Sequence, residues 1–269
     1  MNTAVILCAA GSSTRYAAGQ DVLVSDRSKL DEDLGGRPVL QRAVELFCHR
    51  DDVATVVVAG PHDPAALAQF DLRQGERIQL LGGTLCGGGA HHRAESVAAA
   101  LAHVPEDAAH IAVADAARPI TPPDVIDRVF DAATSFPAVV PGIPVADTLK
   151  RTDPEPVDAP AADPLAAILA PGGQSPTARV ITDTIDREHL FAVQTPQVFT
   201  AELLRRAYAQ PEFHTATDDA ALVERLGERV VIVPGDPANM KLTRQQDLRV
   251  IRALGNFKPP TERATHKKF

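Results

Sequence analysis

The stretch Thr3-Ala4-Val5-Ile6-Leu7-Cys8-Ala9-Ala10-Gly11-Ser12-Ser13-Thr14-Arg15 decides the fold. An apolar run of strand length followed by small residues reads as a buried strand opening into a tight loop. The expected strand covers residues 4–8. The residues after it suggest a second use. Small side chains at Ala9, Ala10 and Gly11 let backbone N–H groups approach an anion closely, and Arg15 can pair with phosphate oxygens in a fork. The string differs from the dinucleotide-binding G-x-G-x-x-G, and no acidic residue falls where a ribose-binding one is expected. A plain strand-to-loop turn with a surface arginine would produce the same pattern.

Outward from this stretch, short apolar runs alternate with helical patterns. Further strands are expected at 54–58, 78–81, 111–114, 138–140 and 230–233. A helix is expected from Pro38, where Val39, Leu40, Ala43, Val44 and Phe47 show the spacing of one helical face. Others are expected near 64–72, 93–103, 123–134, 201–209, 218–226 and 244–254. This alternation indicates an α/β fold with a mainly parallel sheet, whose ligands sit beyond the C-terminal ends of the strands.

The 269 residues carry 27 Lys and Arg against 35 Asp and Glu, a formal net charge of −8. That balance argues against nucleic acid as a partner, which would call for many cations facing phosphates. Aromatic residues make up 4% with no Trp, so base-stacking platforms are not expected either. No apolar run approaches the ~20 residues of a membrane-spanning helix. Cys8, Cys48 and Cys86 are too few and too scattered for a disulfide framework or zinc cluster, and a cytoplasmic location is expected. Three stretches break the alternation. Residues 16–28 read as a long loop, and 152–178 as a proline-rich excursion containing Pro154, Pro156, Pro160, Pro164, Pro171 and Pro176. Residues 256–269, with Lys258, Arg263, Lys267 and Lys268 against Glu262, read as a frayed basic tail.

Two more strings carry chemistry. Ser28-Lys29 precedes Gly35-Gly36-Arg37-Pro38-Val39-Leu40, a pattern that resembles the second signature of sugar-nucleotide-type nucleotidyltransferases. Alone, Lys29 reads as a surface lysine; paired with A-A-G-x-x-x-R it reads as a phosphate ligand. Val113-Ala114-Asp115-Ala116-Ala117-Arg118-Pro119 then places a carboxylate at a strand tip, where it can hold a hard cation against triphosphate oxygens. The alternative there is an Asp that caps the next segment or pairs with Arg118.

Matching strings recur in order across residues 3–255: Arg93-Ala94-Glu95-Ser96-Val97, Asp115-Ala116-Ala117-Arg118-Pro119, Asp147-Thr148-Leu149-Lys150 and Thr184-Ile185-Asp186-Arg187. They continue through Gln194-Thr195-Pro196-Gln197-Val198-Phe199, Thr217-Asp218-Asp219-Ala220 and Gly235-Asp236-Pro237-Ala238-Asn239-Met240-Lys241-Leu242-Thr243. On these strings the sequence resembles the 2-C-methyl-D-erythritol 4-phosphate cytidylyltransferase family. The resemblance implies a Rossmann-like three-layer α/β nucleotidyltransferase fold with a mainly parallel sheet and a protruding β-arm. It implies one domain over residues 1–255, an arm at 145–187 containing the excursion, and the tail at 256–269. The implied reaction moves CMP from CTP to a methylerythritol phosphate with Mg²⁺ and releases pyrophosphate. By the match, Arg15, Lys29 and Lys241 would bind the triphosphate and stabilise the transition state. Ala9, Ala10, Gly11 and Ser96 would contact the nucleotide, and Asp115 the nucleotide and metal. Arg118, Thr148, Arg187 and Thr217 would surround the polyol phosphate, with the arm completing each site across a homodimer.

One departure lies in Gly87-Gly88-Gly89-Ala90-His91-His92-Arg93. The family's pyrimidine-reading loop places G-G and then an acid there, whereas counting back from Arg93 gives Ala90 for the second Gly and His91 for the acid. Adjacent residues point apart, so His91-His92 is not expected to bind metal. The other readings are a cytidylyltransferase for another polyol phosphate such as ribitol 5-phosphate, a catalytically silent nucleotide-binding paralogue, and a nicotinamide-dependent oxidoreductase. Asp186-Arg187 and A-A-G favour methylerythritol phosphate, the intact cations with Asp115 favour catalysis, and the missing G-x-G-x-x-G opposes the last.

Overall fold

The computed structural model describes residues 2–11, 16, 28–157 and 178–258, so Arg15, most of the 16–28 loop and most of the excursion lie outside the described residues. Strand β1 (Thr3–Cys8) leads to a 3-10 turn at Lys29–Asp31 and helix α1 (Val39–Cys48). There follow β2 (Val53–Gly60), α2 (Pro64–Leu80), β3 (Gly83–Gly87), α3 (Arg93–Leu101), β4 (His110–Asp115), α4 (Pro123–Ala133) and β5 (Ala138–Pro144). The remaining elements are β6 (Leu149–Thr152), β7 (Ile181–Ile185), β8 (Phe191–Val193), β9 (Gln197–Thr200), α5 (Ala201–Tyr208), α6 (Asp219–Arg225), β10 (Val231–Pro234) and α7 (Gln245–Leu254).

These elements form two compact units, one of Met1–Ile143 with Val193–Phe269 and one of Pro144–Ala192. In the first, strands lie in the order β10-β5-β9-β4-β1-β2-β3. All neighbours are parallel except β9, which runs antiparallel to both β4 and β5. Strand β1 is apolar on both faces because both are covered. Val5 and Leu7 pack with residues of α1, α2, α4 and α7, while Ala4 and Ile6 pack with residues of α3, α5 and α6. The result is three layers, helix–sheet–helix. From β1 the chain proceeds to β2 and β3 on one side and returns to β4 on the other, so the connections diverge between β1 and β4. At such a switch point a crevice opens beyond the strand ends. The register there pairs Cys8 with Asp115, placing the A-A-G loop beside the strand-tip carboxylate.

One expected strand is absent. Residues 78–80 belong to α2, which starts at the Asp63 cap with Pro64 inside the first turn and passes through Gly75. Phe70, Gln74 and Ile78 are buried at four-residue spacing, so from the run at 78–81 Ile78 faces the core with helical period while Leu80 is 80% exposed. The strand begins later, after Gly82 turns the chain at φ +77°. Strand β9 has no counterpart among the expected strands, being four residues long and beginning inside the Gln194–Phe199 string. The tail begins docked: the Phe257 ring lies 3.9 Å from the Arg42 guanidinium carbon. The rest of the tail, from 259, lies outside the described residues.

The second unit contains an antiparallel ribbon of β6 and β7, with Leu149 opposite Ile185 and Lys150 opposite Thr184. Lys150 Nζ donates to Thr184 Oγ1 at 2.6 Å, and the Arg187 guanidinium donates to the Ala146 carbonyl. Among the described residues, no helix is long and apolar enough to cross a membrane.

Candidate active site

Asp115 ends β4 with its side chain only 8% exposed, and three cations converge on it. Lys241 Nζ lies 2.9 Å from Oδ2, Arg118 Nε 3.3 Å from Oδ2, and Arg93 Nε 3.3 Å from Oδ1. Burial by itself would raise this carboxyl, but Lys241, Arg93 and Arg118 hold it well below the usual carboxylate range. Arg93 also pairs through Nη1 with Asp219 Oδ2 at 2.7 Å. Asp219 is fully buried and accepts from the Tyr208 hydroxyl on its other oxygen. Burial works against the Arg93 charge, yet Asp219 and Asp115 keep it firmly protonated. Two buried carboxylates and their cations thus form one linked network. Cys8 lies at its edge, and burial pushes its thiol up to about 12, so it stays neutral there.

The cationic residues arrive from separate elements, and buried polar groups fix each one. The Asp115 N–H donates to Thr195 Oγ1 at 3.1 Å, tying β4 to the segment before β9. Asn239, fully buried, donates to the Thr195 carbonyl at 2.9 Å and to Gln194 Oε1 at 3.2 Å. It accepts from the Thr121 hydroxyl at 2.9 Å, and its carbonyl accepts from Arg118. Leu242 N–H then donates to the Ala117 carbonyl at 2.8 Å. The loop bearing Lys241 is thereby laced to the loop after β4. The mutual bonds of Asn239, Thr121, Thr195 and Gln194 fix this loop and hold the ammonium in place.

The opposite wall is the glycine loop. A Cβ at Gly88 would lie 2.4 Å from the Gly60 carbonyl and 2.8 Å from the Ala10 side chain, so only glycine allows this approach. Gly89 N–H donates to Ser96 Oγ at 3.0 Å. The backbone N–H groups of His91 and His92 donate to Glu95 Oε2 at 2.9 and 3.3 Å, closing the start of α3. The residues that cannot carry a Cβ are therefore Gly88 and Gly89, and Ala90 and His91 follow on the exposed side.

Between these walls lies a cavity of about 340 Å³ lined by Ala9, Ala10, Gly11, Lys29, Asp115 and Lys241, among others. The structure brings together most of the residues singled out on the nucleotide side, including Ser96. Arg15 lies outside the described residues. Arg118 is engaged with Asp115 and the Asn239 carbonyl, and Thr217 is exposed just before the cap of α6. Thr148 and Arg187 belong to the second unit, at the same end of its ribbon. Arg93, Asp219, Thr195 and Asn239 fall inside the motif strings, but the sequence assigns them no role, and it does not single out Tyr208 at all. One signal is available: a cation in the first turn of a helix opposes the helix dipole, so Arg93 at the start of α3 needs a compensating partner.

Cations and a small-residue loop at the switch point of a mainly parallel sheet have the chemistry of an anion-binding crevice, and the class of protein is a nucleotidyltransferase. Relatives narrow the class. The sequence profile of the 2-C-methyl-D-erythritol 4-phosphate cytidylyltransferase family matches residues 3–175 and 172–254. The protein of that name from Rhodococcus jostii (strain RHA1) is 42% identical over 240 residues, covering 88% of this chain and 92% of the relative. Its counterpart from Acidobacterium capsulatum is 35% identical over 256 residues, covering 93% and 95%. The crystal structure of the Thermus thermophilus enzyme superimposes with a TM-score of 0.64 at 30% identity, covering 95% of this chain and 100% of the other. A crystal structure described as 4-diphosphocytidyl-2C-methyl-D-erythritol synthase gives 0.66 at 28% identity, covering 94% and 97%. The chain belongs to the 2-C-methyl-D-erythritol 4-phosphate cytidylyltransferase family, and its reaction is CTP-dependent cytidylyl transfer to that phosphate in isoprenoid synthesis.

The depressed Asp115 carboxyl has a consequence for stability. A group whose folded value lies below its unfolded one stabilises fully above the unfolded value, here 3.8, and loses that contribution as pH falls through the folded value. Asp115→Asn is therefore expected to flatten the fall in unfolding free energy below about pH 4, read by urea titrations at pH 7 and pH 3. An acid limb as steep as that of the parent chain would refute the pairing described.

Proposed function

We propose that CTP lies in this cavity with its phosphates against Ala9, Ala10 and Gly11, and that Lys29, Lys241 and Arg15 neutralise them. The observation that carries this reading is the shared cavity: Lys29, Lys241, Asp115 and the A-A-G loop line it from four separate chain segments. A phosphate oxygen of 2-C-methyl-D-erythritol 4-phosphate attacks the α-phosphorus of CTP. The bond from that phosphorus to the oxygen bridging to the β-phosphate breaks, and pyrophosphate leaves. The attacking phosphate is already anionic, so no residue need act as general base. What the protein supplies is alignment of two polyanions and fixed positive charge where negative charge crowds in the transition state.

Magnesium suits the donor chemistry. Mg²⁺ is commonly held by one or two carboxylates together with substrate phosphates. Asp115 offers one hard carboxylate at the cavity wall, and Lys241, at 37%, is the most exposed of its three cations. Asp115 would hold the ion, which would add charge neutralisation at the triphosphate.

For the second substrate, Arg118, Thr148, Arg187 and Thr217 are the assigned contacts. Residues 145–187 act as an arm exchanged in a homodimer, so that each site is completed by its partner. What supports this is the lack of a core among the described residues of the second unit, where Val157, Val180, Ile181, Leu190 and Phe191 are all more than a third exposed, at 41, 47, 57, 37 and 42%. Two-stranded ribbons of this kind need packing from elsewhere for stability. The setting is cytoplasmic, with no nucleic-acid or membrane partner.

Lys29→Ala is expected to lower turnover with CTP and methylerythritol phosphate by at least ~100-fold, as loss of one preorganised charge-stabilising donor does. Steady-state kinetics near the parent rate would remove Lys29 from the mechanism. The exchanged arm predicts that inactive Arg15→Ala and inactive Arg187→Ala chains, once mixed, regain part of the activity through heterodimers. Subunit exchange proven by mass, with no recovered turnover, would count against a site shared between copies.

A further inference from the structure

Residues 33–38, between the turn that bears Lys29 and helix α1, fold into a tight hairpin in which Asp33 bridges Pro38 and Leu34 N–H donates to the Arg37 carbonyl at 2.8 Å. Gly35, at φ +65°, makes the reversal. Carbonyls of this hairpin are taken up by side chains from other elements. Arg42 Nε on α1 donates to the Leu34 carbonyl at 2.6 Å, and Arg252 Nη2 on α7 donates to the Asp33 carbonyl at 3.0 Å. Phe257 lies against both the turn and its clamp. Its ring is 3.9 Å from the Arg42 guanidinium carbon, and a Cβ at Gly35 would come within 3.3 Å of it. Phe257 N–H donates to the Arg252 carbonyl at 2.9 Å, which fixes the ring relative to α7.

We propose that Phe257 is a positioning residue for Lys29. The ring orients Arg42, Arg42 and Arg252 hold the Leu34 and Asp33 carbonyls, and the hairpin so fixed carries the lysine turn. The link to that turn is direct: Val39 N–H donates to the Glu32 carbonyl at 3.0 Å and Glu32 N–H to the Lys29 carbonyl at 3.4 Å. Leu30 and Leu34, 3% and 0% exposed, root the same segment in the core. Phe257 lies past residue 254, where the family match ends. The proposal rests on Lys29 acting as a phosphate-binding cation.

The test is a set of full-length variants assayed for cytidylyl transfer below their measured unfolding temperatures. Phe257→Ala is expected to lower turnover about tenfold, because small displacements of an aligned group cost rate steeply. Phe257→Tyr keeps the ring and should stay within about twofold of the parent. In a Lys29→Ala background, Phe257→Ala should cause no further loss, the signature of two residues acting through one group. Should the alanine variant not fold, Phe257→Leu, which keeps apolar bulk without a ring face, is expected to show the same tenfold loss. Losses that multiply in the double variant, or an impaired Lys29→Ala beside an unimpaired Phe257→Ala, would overturn the positioning role alone. A Lys29→Ala chain at the parent rate would overturn it together with the reading of Lys29.

Discussion

Everything at the cavity depends on one buried carboxylate surrounded by cations. Asp115 alone at its depth would be costly, and so would Arg93, Arg118 and Lys241 crowded together without it. Each is tolerable only because the others are present. The sheet secures the arrangement, since register fixes Asp115 beside the end of β1 and the Thr195 hydroxyl accepts its backbone N–H. Asn239 does the same for the lysine, joining the Lys241 loop to Thr121 and Thr195 through bonds that leave it fully buried. Asp219 and Tyr208 then anchor Arg93 from behind.

This arrangement reconciles an acidic chain with polyanionic substrates. A formal charge of −8 describes the whole surface, whereas the site proposed for the nucleotide is a cavity with Lys29 and Lys241 on its walls beside the small-residue loop. Local fields in a cleft with low-dielectric walls outweigh the distant average. The close approach of Gly88 to Gly60 and Ala10 narrows the cleft on the other side, bringing the glycine loop and the A-A-G loop together.

Much of this is legible in the chain. Strand β1, the tip position of Asp115 and the mainly parallel α/β class follow from runs of strand length alternating with helical periods, while the three-layer form rests on the family resemblance. Residues 78–81 mislead, since a short apolar run at the end of a helix with one buried face looks the same as a strand until the Phe70, Gln74 and Ile78 period is counted back through Gly75. Strand β9 leaves no pattern, being short and held largely by its neighbours β4 and β5. Asp219 is hidden by its place at a helix start, where an acidic residue is ordinary, while the pairing that gives it meaning spans from α6 to α3. Phe257 is hidden for the opposite reason: a basic, proline-bearing tail gives no hint that its first aromatic residue packs under Arg42.

If these cations serve two phosphorylated substrates in one transfer reaction, product formation must depend on both. The most direct test is pyrophosphate release from CTP and Mg²⁺, measured side by side with 2-C-methyl-D-erythritol 4-phosphate and with ribitol 5-phosphate. Rapid release that requires the methylerythritol phosphate is expected, with little or none for the ribitol compound. Release that is faster with ribitol 5-phosphate, or absent with both, would contradict this role for the cavity.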